Sequence, residues 1–434
     1  MRRISSGPAA RSSLVLLAAL LLAGGGGVAD ARPAPTQSWI VVLRDGADVD
    51  AAVGRARRGI GIRPEHAYRS SFRGYAGRLT AAQRARLLTD PDVVAVVPDA
   101  PVELDAQSVP PGISRVGANP SVMHAVDGSD PALDVDIAII DTGIASHADL
   151  RIGGGYNCTT SDTSAWGDQN THGTHVAGAA AARDNDIGVV GVAPGARVWA
   201  VKVMDASGGG LVSWLICGLD WVATQADPDD PSRPLFEVAN MSLSVRAGDD
   251  GNCGQTAVPT AYDLLHAAIC RVNGAGVATV VAAGNYSDNL AVEPRVPAAY
   301  GEVITVGAIC DSDGVAGGNG PNCQSTYVTV GDDRFAGFSN YGAAVDLVAP
   351  GSRVWSTMPG GGYGYKDGTS LATPHVAGAA ALYHLREAEL GRPRPTPEQV
   401  RAGLVAAGKL DWKLASYPLG AAAAPPLLDV ASLA

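Results

Sequence analysis

The chain has 434 residues, 46% of them hydrophobic and 17% charged, with a net charge of −11; that is more than one hydrophobic core usually organises and too apolar for a disordered chain. The 54 Gly and 28 Pro follow no Gly-X-Y period, which excludes a collagen helix. Charge is uneven: residues 32–105 hold eleven Arg against nine acids, whereas 106–434 hold 18 basic and 33 acidic residues, a body ill suited to nucleic acid and better suited to extracellular solubility and to holding calcium.

Arg2, Arg3 and Arg11 precede the apolar run Leu14–Ala23, and Ala29-Asp30-Ala31 supplies small residues for cleavage, so residues 1–31 read as an export signal. Ten apolar residues fall short of the roughly 20 that a membrane span needs, and no later segment is long and apolar enough either. Export puts the six cysteines in an oxidising compartment. Six allow about 15 pairings. Cys253–Cys270 and Cys310–Cys323 would close short loops, and Cys158–Cys217 is then left by elimination.

After Pro33-Ala-Pro35, strands are expected at Trp39–Leu43, Tyr75–Leu79 and Val93–Val97, with helices at Val49–Arg58 and Thr80–Leu88. This is a small α+β unit, bounded near residue 105. Beyond it, apolar runs at Val135–Ile140, Val198–Val203, Val238–Met241, Val277–Ala283, Val303–Val306 and Val345–Val348 lack polar alternation, as parallel strands covered on both faces do. Helical stretches at His172–Ala182, Val212–Gln225, Tyr262–Asn273 and Thr373–Leu385 would cover them. The pattern is an α/β, parallel-sheet, three-layer architecture, whose active groups gather at the carboxyl ends of strands.

Three segments carry chemistry. Asp141 follows Ile137-Ala-Ile-Ile140, where a buried carboxylate can orient an imidazole. His172-Gly-Thr-His-Val-Ala-Gly178 opens a helix. In Gly368-Thr-Ser-Leu-Ala-Thr-Pro-His-Val-Ala-Gly378, Ser370 is expected just before a helix start, with Pro374 in the first turn. Backbone N–H groups there favour developing negative charge.

These three segments, in the order Asp, His, Ser, resemble the subtilisin-like serine peptidases (subtilases) over about 106–406. Ala106-Gln-Ser-Val-Pro110 is similar to a mature subtilisin start, and residues 32–105 resemble the inhibitory propeptide, with a ferredoxin-like fold. The resemblance divides the chain into 1–31 signal peptide, 32–105 propeptide and 106–434 peptidase domain. It implies a secreted, monomeric endopeptidase acting on protein or peptide substrates, self-processed near Asp105–Gln107. Asp141 would orient, His172 would act as general base then acid, and Ser370 would be the nucleophile. Asn285, in Val280-Val-Ala-Ala-Gly-Asn285, would be the oxyanion-hole donor; alone, Ala-Gly-Asn reads as a strand-ending turn.

The resemblance also implies that Gly208, Gly209 and Gly210, with Ser242, Leu243 and Ser244, flank an extended peptide. Ser244-Val245 stand where relatives carry Gly-Gly, which implies a primary pocket favouring small residues. A calcium site is implied at Asn185, the carbonyls of Arg183, Ile187 and Val189, Asp149 and Gln107. Leu371 replaces an oxidisable Met common in relatives, which implies better tolerance of peroxide.

His175 lies three after His172, but the H-E-x-x-H zinc pattern is absent, so it and His375 read as packing residues. An α/β-hydrolase esterase needs an acid and then a histidine after the serine, and no acid lies between Ser370 and the final histidine, His384. A silent binding protein on the same scaffold has no reason to fill all four chemical positions. A transpeptidase or cyclase would use the same residues, with an amine replacing water.

Overall fold

A computed structural model of the chain describes residues 36–99, 107–118, 130–249, 251–255, 257–324 and 327–433. The export signal, its cleavage site and the junction at Asp105 lie outside these residues. The chain forms two compact units that divide at Glu103–Leu104.

The first unit runs β1 (Gln37–Leu43), α1 (Val49–Arg55), β2 (Pro64–Tyr68), β3 (Gly74–Leu79), α2 (Ala81–Leu87) and β4 (Val93–Pro98). Its antiparallel sheet has the order β2-β3-β1-β4, that of a ferredoxin-like unit. The Asp48 carboxylate caps α1, and Thr80 with Gln83 forms a reciprocal capping box on α2. The helix expected to Arg58 is α-helical only to Arg55; a π-helical turn over Ala56–Ile60 carries it to Gly61, which is left-handed. Val41, Leu43, Ile62, Tyr75 and Leu79 fill the core.

The second unit runs α3 (Pro111–Arg115), β5 (Asp136–Asp141), β6 (Ile152–Asn157), α4 (His172–Ala181), β7 (Arg197–Lys202), α5 (Val212–Thr224) and β8 (Val238–Met241). It continues through β9 (Val245–Arg246), α6 (Ala261–Gly274), β10 (Ala278–Ala282), β11 (Arg295–Val296), β12 (Ile304–Ile309), β13 (Cys323–Gln324) and β14 (Thr329–Val330). It ends with β15 (Leu347–Pro350), β16 (Val354–Met358), β17 (Gly362–Lys366), α7 (Thr369–Glu389) and α8 (Pro397–Ala407).

Seven parallel strands form the main sheet, in the order β15-β12-β10-β8-β5-β7-β6. Successive residues of a strand feed opposite layers. Ile137 and Ile139 pack with Val176 and Ala377 of α4 and α7, while Ala138 and Ile140 pack with Leu219 and Ile269 of α5 and α6. Both faces are therefore apolar, which is why the strand runs do not alternate. Winding proceeds one way from β5 through β6 and β7, then reverses to β8, so a crevice opens at the carboxyl ends of β5 and β8.

Two differences from expectation bear on the site. β6 is Ile152-Gly-Gly-Gly-Tyr-Asn157 and carries no apolar signal, because a Cβ built on Gly153 would stand 2.4 Å from the Trp199 ring. α7 begins at Thr369, not Thr373, so Ser370 lies inside the helix start and Pro374 in the helix interior. Proline donates no bond to the carbonyl four residues back, here that of Ser370. The Ser242 hydroxyl takes that place at 2.8 Å.

The disulfides are Cys158–Cys217, Cys253–Cys270 and Cys310–Cys323, with sequence separations of 59, 17 and 13. Closing loops of such lengths is worth roughly 3–4 kcal/mol each in a chain-entropy account.

Candidate active site

Asp141 is the last residue of β5 and has no solvent exposure. Its Oδ1 accepts the Thr142 N–H at 2.7 Å, and His172 Nδ1 lies 2.8 Å from Oδ1 and 2.9 Å from Oδ2. A carboxylate only accepts, so Nδ1 carries the hydrogen and Nε2 is left as the acceptor. Burial opposes a charge on His172, but the negative charge and hydrogen bond of Asp141 outweigh it and hold the imidazole above its ordinary pKa.

His172 is the first residue of α4, and Thr171 before it is left-handed, with no side-chain cap. Asp168 supplies the cap instead. Its Oδ1 accepts the N–H groups of Asn170 and Thr171 at 2.9 and 3.0 Å; its Oδ2 accepts the N–H and hydroxyl of Thr174 at 3.0 and 2.6 Å. It also accepts the Thr142 hydroxyl at 2.9 Å, whose oxygen accepts the Gly173 N–H at 2.9 Å. The end of β5 and the start of α4 are thus one hydrogen-bonded block. Burial works against the Asp168 charge, yet the Thr174 bonds and backbone donors hold it below the usual carboxylate range. Gly173 is required because a Cβ there would stand 2.2 Å from the Gly143 carbonyl oxygen. Buried Lys202 braces the block from below, donating to the carbonyls of Thr142 at 2.5 Å and Met204 at 3.0 Å. Its burial lowers the ammonium pKa.

Ser370, second in α7, is 8% exposed. A Cβ built on Gly368 would stand 2.7 Å from Ser370 Oγ and 3.2 Å from Asn285 Nδ2; both groups crowd that point, and glycine at φ +145° leaves room for them. Asn285 Oδ1 accepts both the N–H and the hydroxyl of Thr369, at 2.8 and 2.9 Å. That fixes the amide orientation and leaves the nitrogen as a free donor. Behind it, buried Asn340 donates to the Ala283 carbonyl at 2.9 Å and accepts the N–H groups of Tyr286 and Asp288 at 3.0 Å.

His172, Ser370 and Asn285 line one open cleft of about 780 Å³. Among the described residues the Ser370 hydroxyl makes no hydrogen bond to His172; such bonds often tighten only when substrate is bound. The arrangement offers a hydroxyl nucleophile at the start of α7, an oriented base at the start of α4 and an amide donor in the loop after β10.

The family model for the subtilase family matches residues 133–414. The chain belongs to the subtilase family. Residues 38–105 match the family of peptidase inhibitor I9. Subtilisin NAT of Bacillus subtilis subsp. natto is 39% identical over 298 residues, 68% of this chain and 66%, just under two thirds, of that protein. The subtilisin of Bacillus pumilus is 39% identical over 279 residues, covering 64% of this chain and 85% of that protein. The crystal structure of a cold adapted subtilisin-like serine proteinase superposes with a TM-score of 0.54 at 29% identity, covering 74% of this chain and 97% of that one.

In this subtilase chain the two segments expected to flank a peptide meet at the cleft. Gly208, Ser242, Leu243 and Ser244 line it beside Ser370, and Gly210 lines an adjoining hollow with Leu243 and Ser244. Gly209 lines neither; its N–H is spent on the Asp205 carboxylate in a tight turn. Ser242 turns its hydroxyl away to Ser370 O and accepts the Asn240 amide at 3.0 Å, so that hydroxyl positions the helix start. Val245 pairs with Val296. Buried Leu371 also lines the cleft. His175 and His375 face backbone carbonyls of Gly364 and Leu371, and burial lowers their pKa values to about 3 and about 4, so both are packing residues.

The residues expected to hold calcium also converge. Buried Asp149 accepts the Val189 N–H on Oδ2 at 3.0 Å, while its Oδ1 has no hydrogen-bond partner. Burial raises its carboxyl above the ordinary value, against the pull of that N–H. The Gln107 amide nitrogen donates to the carbonyls of Arg183 at 2.6 Å and Val189 at 3.1 Å. A cation between these oxygens needs the amide turned over, presenting Oε1. Asn185 Oδ1 accepts the Ile187 N–H at 3.3 Å. The Arg183 guanidinium is drawn off to Asp130. A buried carboxylate oxygen without a hydrogen bond, in a loop whose Arg183 and Val189 carbonyls converge on the Gln107 amide, fits calcium.

Sequence reasoning missed Asp168, Asn340, Thr369 and Lys202. Asp168 had a signal: an Asp two residues before Asn170, ahead of a helix, marks an Asx turn.

Proposed function

We propose that this chain is a secreted serine endopeptidase, made as a zymogen that processes itself. The observation that carries the reading is the Asp141–His172 pair sharing one cleft with Ser370 and the fixed Asn285 amide. His172 Nε2 takes the proton from the Ser370 hydroxyl as its oxygen attacks the scissile carbonyl. The oxyanion forms against the Asn285 amide and the Ser370 backbone N–H at the start of α7. The proton passes to the leaving amine, giving an acyl-enzyme, and water attacks it through the same base. Calcium would supply structural cross-linking at Asp149 and the 183–189 loop; no step uses it.

Substrates are extended protein or peptide chains pairing with residues 242–244 and the Gly208–Gly210 side. Ser244-Val245 narrow the primary pocket, so a cleavage profile dominated by small residues is expected; one dominated by Phe and Tyr breaks this part. Residues 32–105 act as folding assistant and temporary inhibitor, and cleavage falls near Asp105–Gln107. The mature enzyme is a monomer outside the cell, with neither membrane nor nucleic acid as partner.

The test is to incubate secreted wild type and Ser370→Ala with casein and a peptide library while recording N-termini. Wild type should cleave and mature, whereas Ser370→Ala should stay a proenzyme, with turnover lower by about a million-fold, the scale known for subtilisin's own triad. Maturation of the isolated variant, or retained turnover, overturns the reading.

A further inference from the structure

Away from the cleft, Cys310–Cys323 and the hairpin β13–β14 close a loop that draws acidic side chains together. Asp311, Asp313 and Asp332 each present a carboxylate oxygen within 4.8 Å of the other two. That is the spacing of oxygens that share one calcium ion at about 2.4 Å each.

The hydrogen bonding is incomplete at one point. Asp332 is well supplied: Oδ1 accepts the N–H and hydroxyl of Ser312 at 2.8 and 2.9 Å, and Oδ2 accepts the Gly320 N–H at 2.9 Å. Asp313 Oδ1 accepts the Val315 N–H at 3.0 Å. Asp311 has a fully buried side chain whose Oδ1 accepts the Gly314 N–H at 2.7 Å, but its Oδ2 accepts no hydrogen bond. Arg115 Nε stands 2.9 Å from that oxygen; its single hydrogen goes to Asp333 Oδ1 at 3.0 Å. Arg115 also serves Asp411. Among the described residues, Asp313 and Asp332 pair with no lysine or arginine. One guanidinium therefore faces more carboxylate charge than it neutralises, and a buried anion short of partners is costly.

We propose that Asp311, Asp313 and Asp332 form a second calcium site, separate from the one at Asp149. All the donors are oxygen, with no imidazole or free thiolate, which selects a hard cation over zinc. Asp332 lies two residues after β14, so the ion secures the root of the hairpin whose connection carries Tyr327, a residue that lines the cleft.

The experiment uses the full chain in a Ser370→Ala background, which removes self-digestion. Bound calcium and its affinity are measured by metal analysis and titration calorimetry for this parent, for Asp149→Asn and for Asp313→Ala, whose exposed side chain leaves the core intact. Asp313→Ala should bind about one ion fewer per chain, or bind it at least tenfold more weakly, while Asp149→Asn keeps that ion. The isosteric Asp332→Asn, with its near-ultraviolet circular dichroism checked against the parent, should repeat the loss. Calcium stoichiometry and affinity in Asp313→Ala equal to the parent's overturn the site.

Discussion

In the cleft, both oxygens of Asp141 and both of Asp168 receive N–H or O–H donors, whereas Asp149 and Asp311 each keep one buried oxygen without a hydrogen bond. Asp141, Asp149 and Asp311 are buried and Asp168 is partly so, and desolvating such an ion costs several kcal/mol. The cleft repays that cost with the protein's own donors, so its electrostatics are set before any ligand arrives. The two acidic loops leave part of it unmet by protein, and the proposed cations would complete them. A catalytic centre whose charges were borrowed would change with the medium; a structural loop can tolerate that dependence.

After loss of the Ser370 hydroxyl itself, the largest expected effect sharpens the cleft side. Asn285→Ala removes the free donor and also releases Thr369, so kcat should fall about 100- to 1,000-fold with KM little changed, the scale known for the equivalent donor of subtilisin. A matching rise in KM would mean that the amide binds ground state and transition state alike.

Chelation probes the loop side. An ion present at about 100 times its Kd stabilises the folded chain by about 2.7 kcal/mol. Removing calcium should lower the melting temperature by several degrees in the Ser370→Ala chain, and less in Asp149→Asn. Unchanged melting on chelation breaks the contrast between loops and cleft.

The smallest effect concerns pH. As the proposed base His172 must be neutral, so activity should fall as pH drops through its pKa. Burial works against the imidazolium, the Asp141 charge raises its pKa, and Lys366 across the cleft lowers it. Lys366→Gln removes that positive charge, so the acidic limb of kcat/KM should move to higher pH. A limb that stayed or moved down would show that Lys366 does not act on His172.

Much of this was legible along the chain. Strands of the main sheet announce themselves as unbroken apolar runs because both faces are covered, and β6 escapes because Trp199 occupies the space its side chains would need. Helix starts at Thr80 and Val212 follow local caps and periodicity. The start of α7 was read four residues late, because Pro374 looks like a first-turn proline until Ser242 is seen taking the carbonyl it leaves free.

The sequence by itself determined the inventory: an Asp, a His, a Ser and an Asn of the right chemistry, six cysteines, and one oxygen-rich loop at 183–189. Chemistry of that kind belongs to single residues and their immediate neighbours. Only the tertiary structure decided which groups are satisfied. Asp168 receives donors from three segments, Asn285 is turned by Thr369 some 84 positions away, and Asp311 is left one bond short by how Arg115 shares its hydrogens. Burial and hydrogen-bond partners are properties of packing between distant residues, so no local pattern encodes them.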